Sequence, residues 1–526
     1  MGKLGDYLEG TTRTGLGCML LASVGAFLFG FDNGWWGTIL GADTFLRHYG
    51  SCKTTDGVET CNLSTGQLSA GSAVQSAGMM FACLLAVYVN DFLGRKKGLV
   101  LTAIISIIGI VIELTSAIGA KPRFSQFVVG KTIAAISMGL CANIVPIYLS
   151  ETSTNKARGA GIALYQNILV VGVITAAGTV YGTAQLTTSA SYLIPFALQL
   201  IAPVFMLATS PFLPESPRWL VTKGRLEEAK IASERIFGSP TNDFNAVEYV
   251  NAIELAVEED KQLNATSGGW LDLLRSPFLR RLLIAMGMQC LQQAQGSSYM
   301  SNYIVSFLQA SGVKDVFPAI MGVNALYYVS ILTGHILPDK FGRRPLIIST
   351  ALFCGVVLLI VAVLTTTVNP PTTATSNASL ALILIWQVGF GIQSTLVWIT
   401  TAEAAPTRNR ERVLAVAVFI GFGVSLMITS VSPYIQNEDY GNLGGRIGFI
   451  WSSFSFFTVI WVYFFLPEMK GFSLEQLDFL FANKTPTRKF KSYKFDHAVL
   501  ATEELKKNGS HEAVQEEIIE SAGKLK

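Results

Sequence analysis

The chain has 526 residues, 50% of them hydrophobic and only 14% charged, and its mean hydropathy is +0.44. A soluble globular chain carries about 25% charged residues, so this balance excludes an ordinary soluble protein and points to a membrane protein. The net charge of +3 says little by itself; its placement says more.

In chain order, apolar runs of about 20 residues, the length that crosses a bilayer, predict helical spans near 16–38, 68–90, 98–118, 124–148, 159–182, 191–212, 283–308, 318–338, 346–367, 379–402, 412–433 and 447–466. The first run carries a carboxylate, Asp32, inside Gly25-Ala-Phe-Leu-Phe-Gly-Phe-Asp-Asn-Gly-Trp-Trp-Gly37. An aspartate at a helix centre costs about 2.5 to 3.5 kcal/mol on insertion scales and reads as functional by default. The alternative is a local feature, with Asp32 capping a break near Asn33-Gly34. This run is long and lacks a small-residue cleavage site, so a retained helix is expected rather than a signal peptide. The opening Met-Gly-Lys-Leu-Gly-Asp misses the myristoylation pattern at Asp6.

The loop after the first run holds Cys52 and Cys61 beside Asn62-Leu63-Ser64, a glycosylation acceptor sequence. A short disulfide and a glycan on Asn62 is one reading; two free thiols and an unused acceptor is the other. Cys83, Cys141 and Cys290 fall in predicted helices without metal-ligand spacing. No metal or cofactor is expected.

Lys and Arg crowd alternate loops: Arg95, Lys96 and Lys97; Lys156 and Arg158; the stretch from Arg218 to Arg281; Lys340, Arg343 and Arg344; Arg408, Arg410 and Arg412. The intervening loops are poorer in them. The positive-inside rule then places both termini and the 213–280 loop in the cytoplasm. That loop contains amphipathic stretches such as Arg225 to Phe237. The tail beyond Phe481 opens with basic residues from Lys484 to Lys494, suited to an anionic inner leaflet.

Compared with itself at an offset of roughly 250 residues, the chain repeats three features in order. Asp91-Phe-Leu-Gly94-Arg95-Lys96-Lys97 follows the second run and Asp339-Lys-Phe-Gly342-Arg343-Arg344-Pro345 the eighth. Glu151 precedes Arg158 by seven residues after the fourth run, and Glu403 precedes Arg410 by seven after the tenth. Pro214-Glu-Ser-Pro-Arg-Trp219 follows the sixth, and Pro467-Glu-Met-Lys-Gly471 the twelfth. The expected organisation is a six-helix half at 1–212, a cytoplasmic linker with short helices at 213–280, a second half at 281–481 and a tail at 482–526. Paired halves suit a transporter with its substrate between them. The repeated charges, Asp91 with Arg95, Glu151 with Arg158 and their counterparts Asp339, Arg343, Glu403 and Arg410, are expected to form charge-assisted bonds that gate the cytoplasmic ends. The bland reading is loop charge that only sets topology.

The ordered set, Gly-Phe-Asp in the first run, the two Asp-x-x-Gly-Arg loops, Pro214-Glu-Ser-Pro-Arg218 and Pro467-Glu-Met-Lys-Gly471, resembles the sugar porter family of the major facilitator superfamily over nearly the whole chain to Phe481. The resemblance implies an all-α major facilitator fold of about twelve transmembrane helices in two pseudo-symmetric halves. It also implies a carrier of sugars or polyols, by facilitated diffusion or with a proton. Carried over residue by residue, it assigns sugar binding to Gln166, to Gln292 and Gln293, and to Trp398. Amides both donate to and accept from hydroxyls, and an aromatic face covers a pyranose ring. Outside that context a membrane Gln bonds a neighbouring helix.

This chain departs from the family's hexose pattern, with Ser298 where Asn is usual, Ser394-Thr395 for Gly-Pro, and Val173 for a second glutamine. Ser298 with Asn302-Tyr303, Tyr192 to Ala197 and Ile447 to Trp451 look more like the fungal α-glucoside permease branch. In proton-coupled members the acid matching Asp32 pairs with an Arg; here Gly130-Lys131 stands at that place. Lysine keeps the charge but, unlike arginine, can lose its proton when desolvated. The leading expectation is therefore a proton-coupled importer of a mono- or disaccharide, with Asp32 and Lys131 as the coupling pair. A facilitator without coupling and a carrier-like sugar sensor are the rivals. No paired catalytic groups stand in a motif context, so no enzyme activity is expected. The expected partners are a small sugar, protons and the lipid bilayer, without nucleic acid, for a monomer in the plasma membrane.

Overall fold

The computed structural model describes residues 12–493 apart from 56–57, 119–122, 155–156, 239–243, 266–268, 277, 314, 369–370, 407–408, 438 and 473. The Met1 to Asp6 opening, Lys156, Arg408 and the tail from residue 494 onward lie outside the described residues. Of Arg158 only the backbone is described.

Among the described residues eleven helices are long and apolar enough to cross a membrane. Six precede the linker: Arg13–Ile39, Thr65–Phe92, Gly94–Ser116, Phe124–Thr152, Arg158–Ala184 and Ala190–Phe212. Five follow it: Val316–Gly334, Arg343–Thr367, Thr373–Ala404, Arg410–Gln436 and Gly444–Phe465. The twelfth, seventh in chain order, is broken into Phe278–Gln292 and Ser298–Ala310 by a π turn at Gln293–Ser297. Gly296 makes the break, with φ +102, a conformation closed to most side chains. The Ser297 hydroxyl donates to the Gln292 carbonyl at 2.9 Å, one of the acceptors the break frees.

The loop after the first span adds the one departure from an all-helical chain among the described residues. A short helix, Asp43–Tyr49, leads into a hairpin of strands Ser51–Thr55 and Val58–Asn62. Cys52 faces Cys61 in the register of this hairpin, and the two are joined as a disulfide. Asn62 is exposed at its end. Ser64 then caps the second span in a reciprocal pair with Gln67, which satisfies orphan N–H groups at the helix start. The linker folds into short helices, Pro217–Thr222, Leu226–Phe237 and Ala246–Ala265, which pack on one another through Trp219, Leu220, Ala229 and Val250.

The two groups of six meet at the end of the bundle that carries the hairpin. Ser69 donates to the Ser430 carbonyl at 2.7 Å, Ser76 and Ser425 hydroxyls meet at 2.9 Å, Asn437 donates to Thr65 at 3.0 Å, and the Tyr303 hydroxyl lies 3.3 Å from the Leu68 carbonyl. Beneath them lies a large aromatic core that includes Trp35, Trp36, Phe45, Phe127, Phe196, Tyr299 and Tyr303. Leu20, Phe81, Ile104, Ile108, Phe205, Phe457 and Ile460 are exposed on the outer faces of the spans, as helices that meet lipid require.

Candidate functional site

The repeated loops build the same device twice at the linker end. Gly94 (φ +78) and Gly342 (φ +91) turn the chain into the third and ninth spans. The first N–H groups of a helix have no partner inside it and favour an anion. Glu215 supplies one to Arg95 and Lys96, at 2.8 and 3.1 Å from their backbone nitrogens; Glu468 does so for Arg343 and Arg344, at 3.0 and 3.1 Å. A Cβ on Gly94 would stand 2.6 Å from the Glu215 carboxylate, and one on Gly342 2.7 Å from that of Glu468. Glycine is needed for the close approach as well as for φ. Burial holds Glu215 above its ordinary range, against the pull of these N–H groups and the Arg95 charge.

Each arginine then reaches across to an acid at the end of the next span. Arg95 bonds Glu151 at 2.8 Å and Arg343 bonds Glu403 at 2.9 Å. This corrects the expected partners. Asp91 does not pair with Arg95, whose guanidinium is committed to Glu151 and the Asn90 carbonyl; its carboxylate bonds Lys223 of the linker at 2.7 Å. Glu403 takes Arg343 rather than Arg410, while Asp339 does pair with Arg343, at 3.2 Å. Lys96 Nζ and Arg344 bond backbone carbonyls of Pro211 and Tyr463. In the sequence the two Pro-Glu segments mark the duplication but give Glu215 and Glu468 no task; their recurrence is the available signal.

In the first half, Asp32, Lys131, Glu113, Gln75 and Trp35 line one small cavity. Its volume, about 10 Å³ measured as space open to a water's centre, is near the threshold for holding one water. Asp32, Glu113 and Lys131 are 5%, 1% and 3% exposed. The expected Asp32–Lys131 ion pair is absent. Lys131 Nζ instead sits 3.8 Å from the ring centre of Trp36 and 4.9 Å from that of Trp35, whose π faces attract a cation. It has no hydrogen-bond partner, and neither do Asp32 Oδ2, Glu113 Oε2 and Gln75 Oε1. Gln75 donates to Asn33 at 2.8 Å, and the Trp36 indole donates to Ser72 at 2.7 Å. Sequence reasoning misses Glu113, although a lone acid in the third apolar run is the same anomaly that singles out Asp32.

The break in the seventh span gathers a second polar group. Gln292 donates to the Ser394 hydroxyl at 3.0 Å, which is 3.3 Å from the Tyr327 hydroxyl. Gln293 accepts from Ser298 at 2.6 Å, and Asn302 donates to the Ser298 carbonyl at 2.9 Å. The Oε1 atoms of Gln292 and Gln393 have no partner, which leaves acceptors for an incoming hydroxyl. Gln166 is half-buried on the fifth span, in the other half of the bundle. Trp398 stands one turn beyond Ser394 on the same face of the tenth span and is 42% exposed, outside the packed core.

With this geometry in view, similarity to known proteins is informative. The family model described as sugar (and other) transporter matches residues 18–481. The chain is 29% identical over 496 residues to the major facilitator-type transporter ecdD of Aspergillus rugulosus, covering 91% of this chain and 90% of that protein. It is 26% identical over 471 residues to the low-affinity glucose transporter HXT4 of Saccharomyces cerevisiae, covering 88% and 80%. The structure of the major facilitator proton:xylose symporter XylE bound to 6-bromo-6-deoxy-D-glucose superposes with a TM-score of 0.70 at 19% identity, over 90% of this chain and 100% of that one. At that identity the likeness establishes the fold.

Proposed function

From a chain that belongs to the sugar (and other) transporter family, we propose a sugar/proton symporter that works by alternating access between its two six-span halves. The observation that carries the reading is Asp32, a carboxylate buried in a membrane span with an unpartnered oxygen facing a water-sized cavity. A structural acid in lipid is expected to be paired; an unpaired one is suited to gaining and losing a proton. Proton:xylose symport by XylE and glucose transport by HXT4 agree with the chemistry proposed.

The sugar would lie between the halves. The amides of Gln292, Gln293 and Gln166 would bond its hydroxyls, Ser298 and Asn302 would shape the site, and Trp398 would cover a ring face. Ser298 at the usual Asn position shortens one wall, which favours a substrate larger than a hexose, such as an α-glucoside. The linker-end clusters around Arg95–Glu151 and Arg343–Glu403 would hold each half as a body while the halves rock. The hairpin would face outside with Asn62 as a glycan site, and the termini the cytoplasm.

Uptake of radiolabelled D-glucose, D-xylose and maltose by yeast lacking its own sugar carriers tests the proposal. Accumulation that rises as external pH falls, collapses with a protonophore and drops at least tenfold in Asp32→Asn, while sugar exchange at equal concentrations survives, is the expected result. Accumulation in Asp32→Asn equal to wild type would overturn the role of the acid. One observation favours a facilitator instead: Lys131 rests on tryptophan rather than on Asp32. In that case uptake equilibrates without accumulating and ignores the protonophore.

A further inference from the structure

We propose that Glu113 is a second acid of the coupling site and that Lys131 is a cation shared between Glu113 and Asp32, so the cavity is balanced with one proton bound. The inference rests on the symport reading and deepens it. It starts from the contents of one cavity: two carboxylates and one ammonium, all buried, each with an unpartnered atom. With all three ionised the site carries a net negative charge in a medium where an unpaired ion is costly. Two carboxylates sharing a site with one cation do not both stay ionised cheaply. A single proton restores neutrality, and the position of Lys131 decides which acid holds it.

The groups that face these acids are few. Glu113 of the third span is faced by Asp32 of the first, Lys131 of the fourth, the Gln199 amide at the sixth, and Tyr49, whose hydroxyl meets Ser116 at 2.8 Å. Asp32 is faced by Lys131, Glu113, Gln75 and the Cys141 thiol. Lys131 is therefore the one cation among the described residues placed to serve both carboxylates. When Asp32 takes a proton, an O–H bond forms and its negative charge is lost; the ammonium is then drawn to Glu113. When Asp32 releases that proton, the attraction returns. No other bond is made or broken.

Lysine suits this exchange better than arginine, because it is a compact charge on a flexible stem rather than a planar fork. Its present seat also links the exchange to the closure of the bundle. Trp36, on whose face Lys131 rests, donates to Ser72 of the second span. That span holds the eleventh through Ser69–Ser430 and Ser76–Ser425. Motion of Lys131 between the acids thus acts on the residue that touches the hairpin-end seal.

The test is the dependence of accumulation on external pH, with the same three labelled sugars, in wild type, Asp32→Asn, Glu113→Gln and Glu113→Asp. Removing Glu113 takes a like charge away from Asp32 and leaves Lys131 to it alone, which stabilises the Asp32 carboxylate. Glu113→Gln is expected to need about tenfold more protons, roughly one pH unit lower, for half-maximal accumulation, while Glu113→Asp keeps the wild-type profile. A role in packing alone would lower the amount of transporter without moving the profile. Should Glu113→Gln fail to reach the membrane, Glu113→Met, which replaces the buried acid with an apolar side chain of similar size, is expected to show the same shift. A Glu113→Gln or Glu113→Met profile that superposes on a pH-dependent wild type overturns the inference and leaves symport standing. A wild type indifferent to pH and protonophore overturns both.

Discussion

The charges at the linker end and the charges in the cavity are equally foreign to a membrane bundle, yet they are treated in opposite ways. At the linker end Glu215, Glu468, Glu151 and Glu403 each accept at least one bond from an arginine or from the N–H groups of a helix start. In the cavity Asp32, Glu113 and Lys131 share a space without an ion pair. Paired charge defines a geometry, because separating it leaves an uncompensated ion. Unpaired charge defines a readiness to change state. The molecule therefore keeps its rigid electrostatics where the halves are braced and its labile electrostatics inside one half.

Breaking the rigid side has the largest expected effect. Arg95→Ala strands Glu151 in a pair whose side chains are each 11% exposed. A loss of about 3 kcal/mol is expected, read as a lower melting temperature of the detergent-solubilised protein. Arg343→Ala should cost less, since Glu403 is 21% exposed and Asp339 lies at the surface. The labile side should respond otherwise. Lys131→Met removes an unpaired buried cation and its contact with Trp36, two opposed changes, so stability is expected to stay within about 1 kcal/mol of wild type although coupled uptake is lost. A melting-temperature drop in Lys131→Met as large as that in Arg95→Ala would erase the contrast.

The smallest effect sharpens the rigid side. Burial raises Glu215 from its ordinary value of 4.5, so the folded protein binds this proton more tightly than the unfolded chain. Its contribution to stability is then present at and below that ordinary value and is lost as pH rises through the raised one. Glu215→Gln keeps an acceptor for the N–H groups of Arg95 and Lys96 and removes the titration. Melting curves collected upward from pH 4.5 should fall less steeply in Glu215→Gln than in wild type, by a few tenths of a kcal/mol. Equal slopes would mean that Glu215 contributes no titration there.

Much of this was legible along the chain because it depends on neighbours in sequence. Hydropathy located the twelve spans, since crossing a bilayer requires about 20 apolar residues in a row. The duplicated Asp-x-x-Gly-Arg loops and Pro-Glu segments marked the two halves. Asp32 stood out because a carboxylate is costly wherever its run is inserted. The break in the seventh span was not legible in the same way: hydropathy reads 283–308 as one run, and only the positive φ of Gly296 shows where it parts.

Partner choice belonged to the tertiary structure. Arg95 and Glu151 lie 56 residues apart, and Arg95 has Asp91 much closer in sequence; only the packing of the spans decides between them. Lys131 looked like the mate of Asp32 until Trp35 and Trp36 were placed beneath its ammonium. Glu113 joins the same cavity because the third and fourth spans pack closely, with Gly109 and Gly130 at their contact. A one-dimensional pattern determines which residues are costly in a membrane, because that cost is set by the residue and the medium. Which cost is met by a partner and which is left open depends on angles and distances between helices, and those exist only once the bundle is packed.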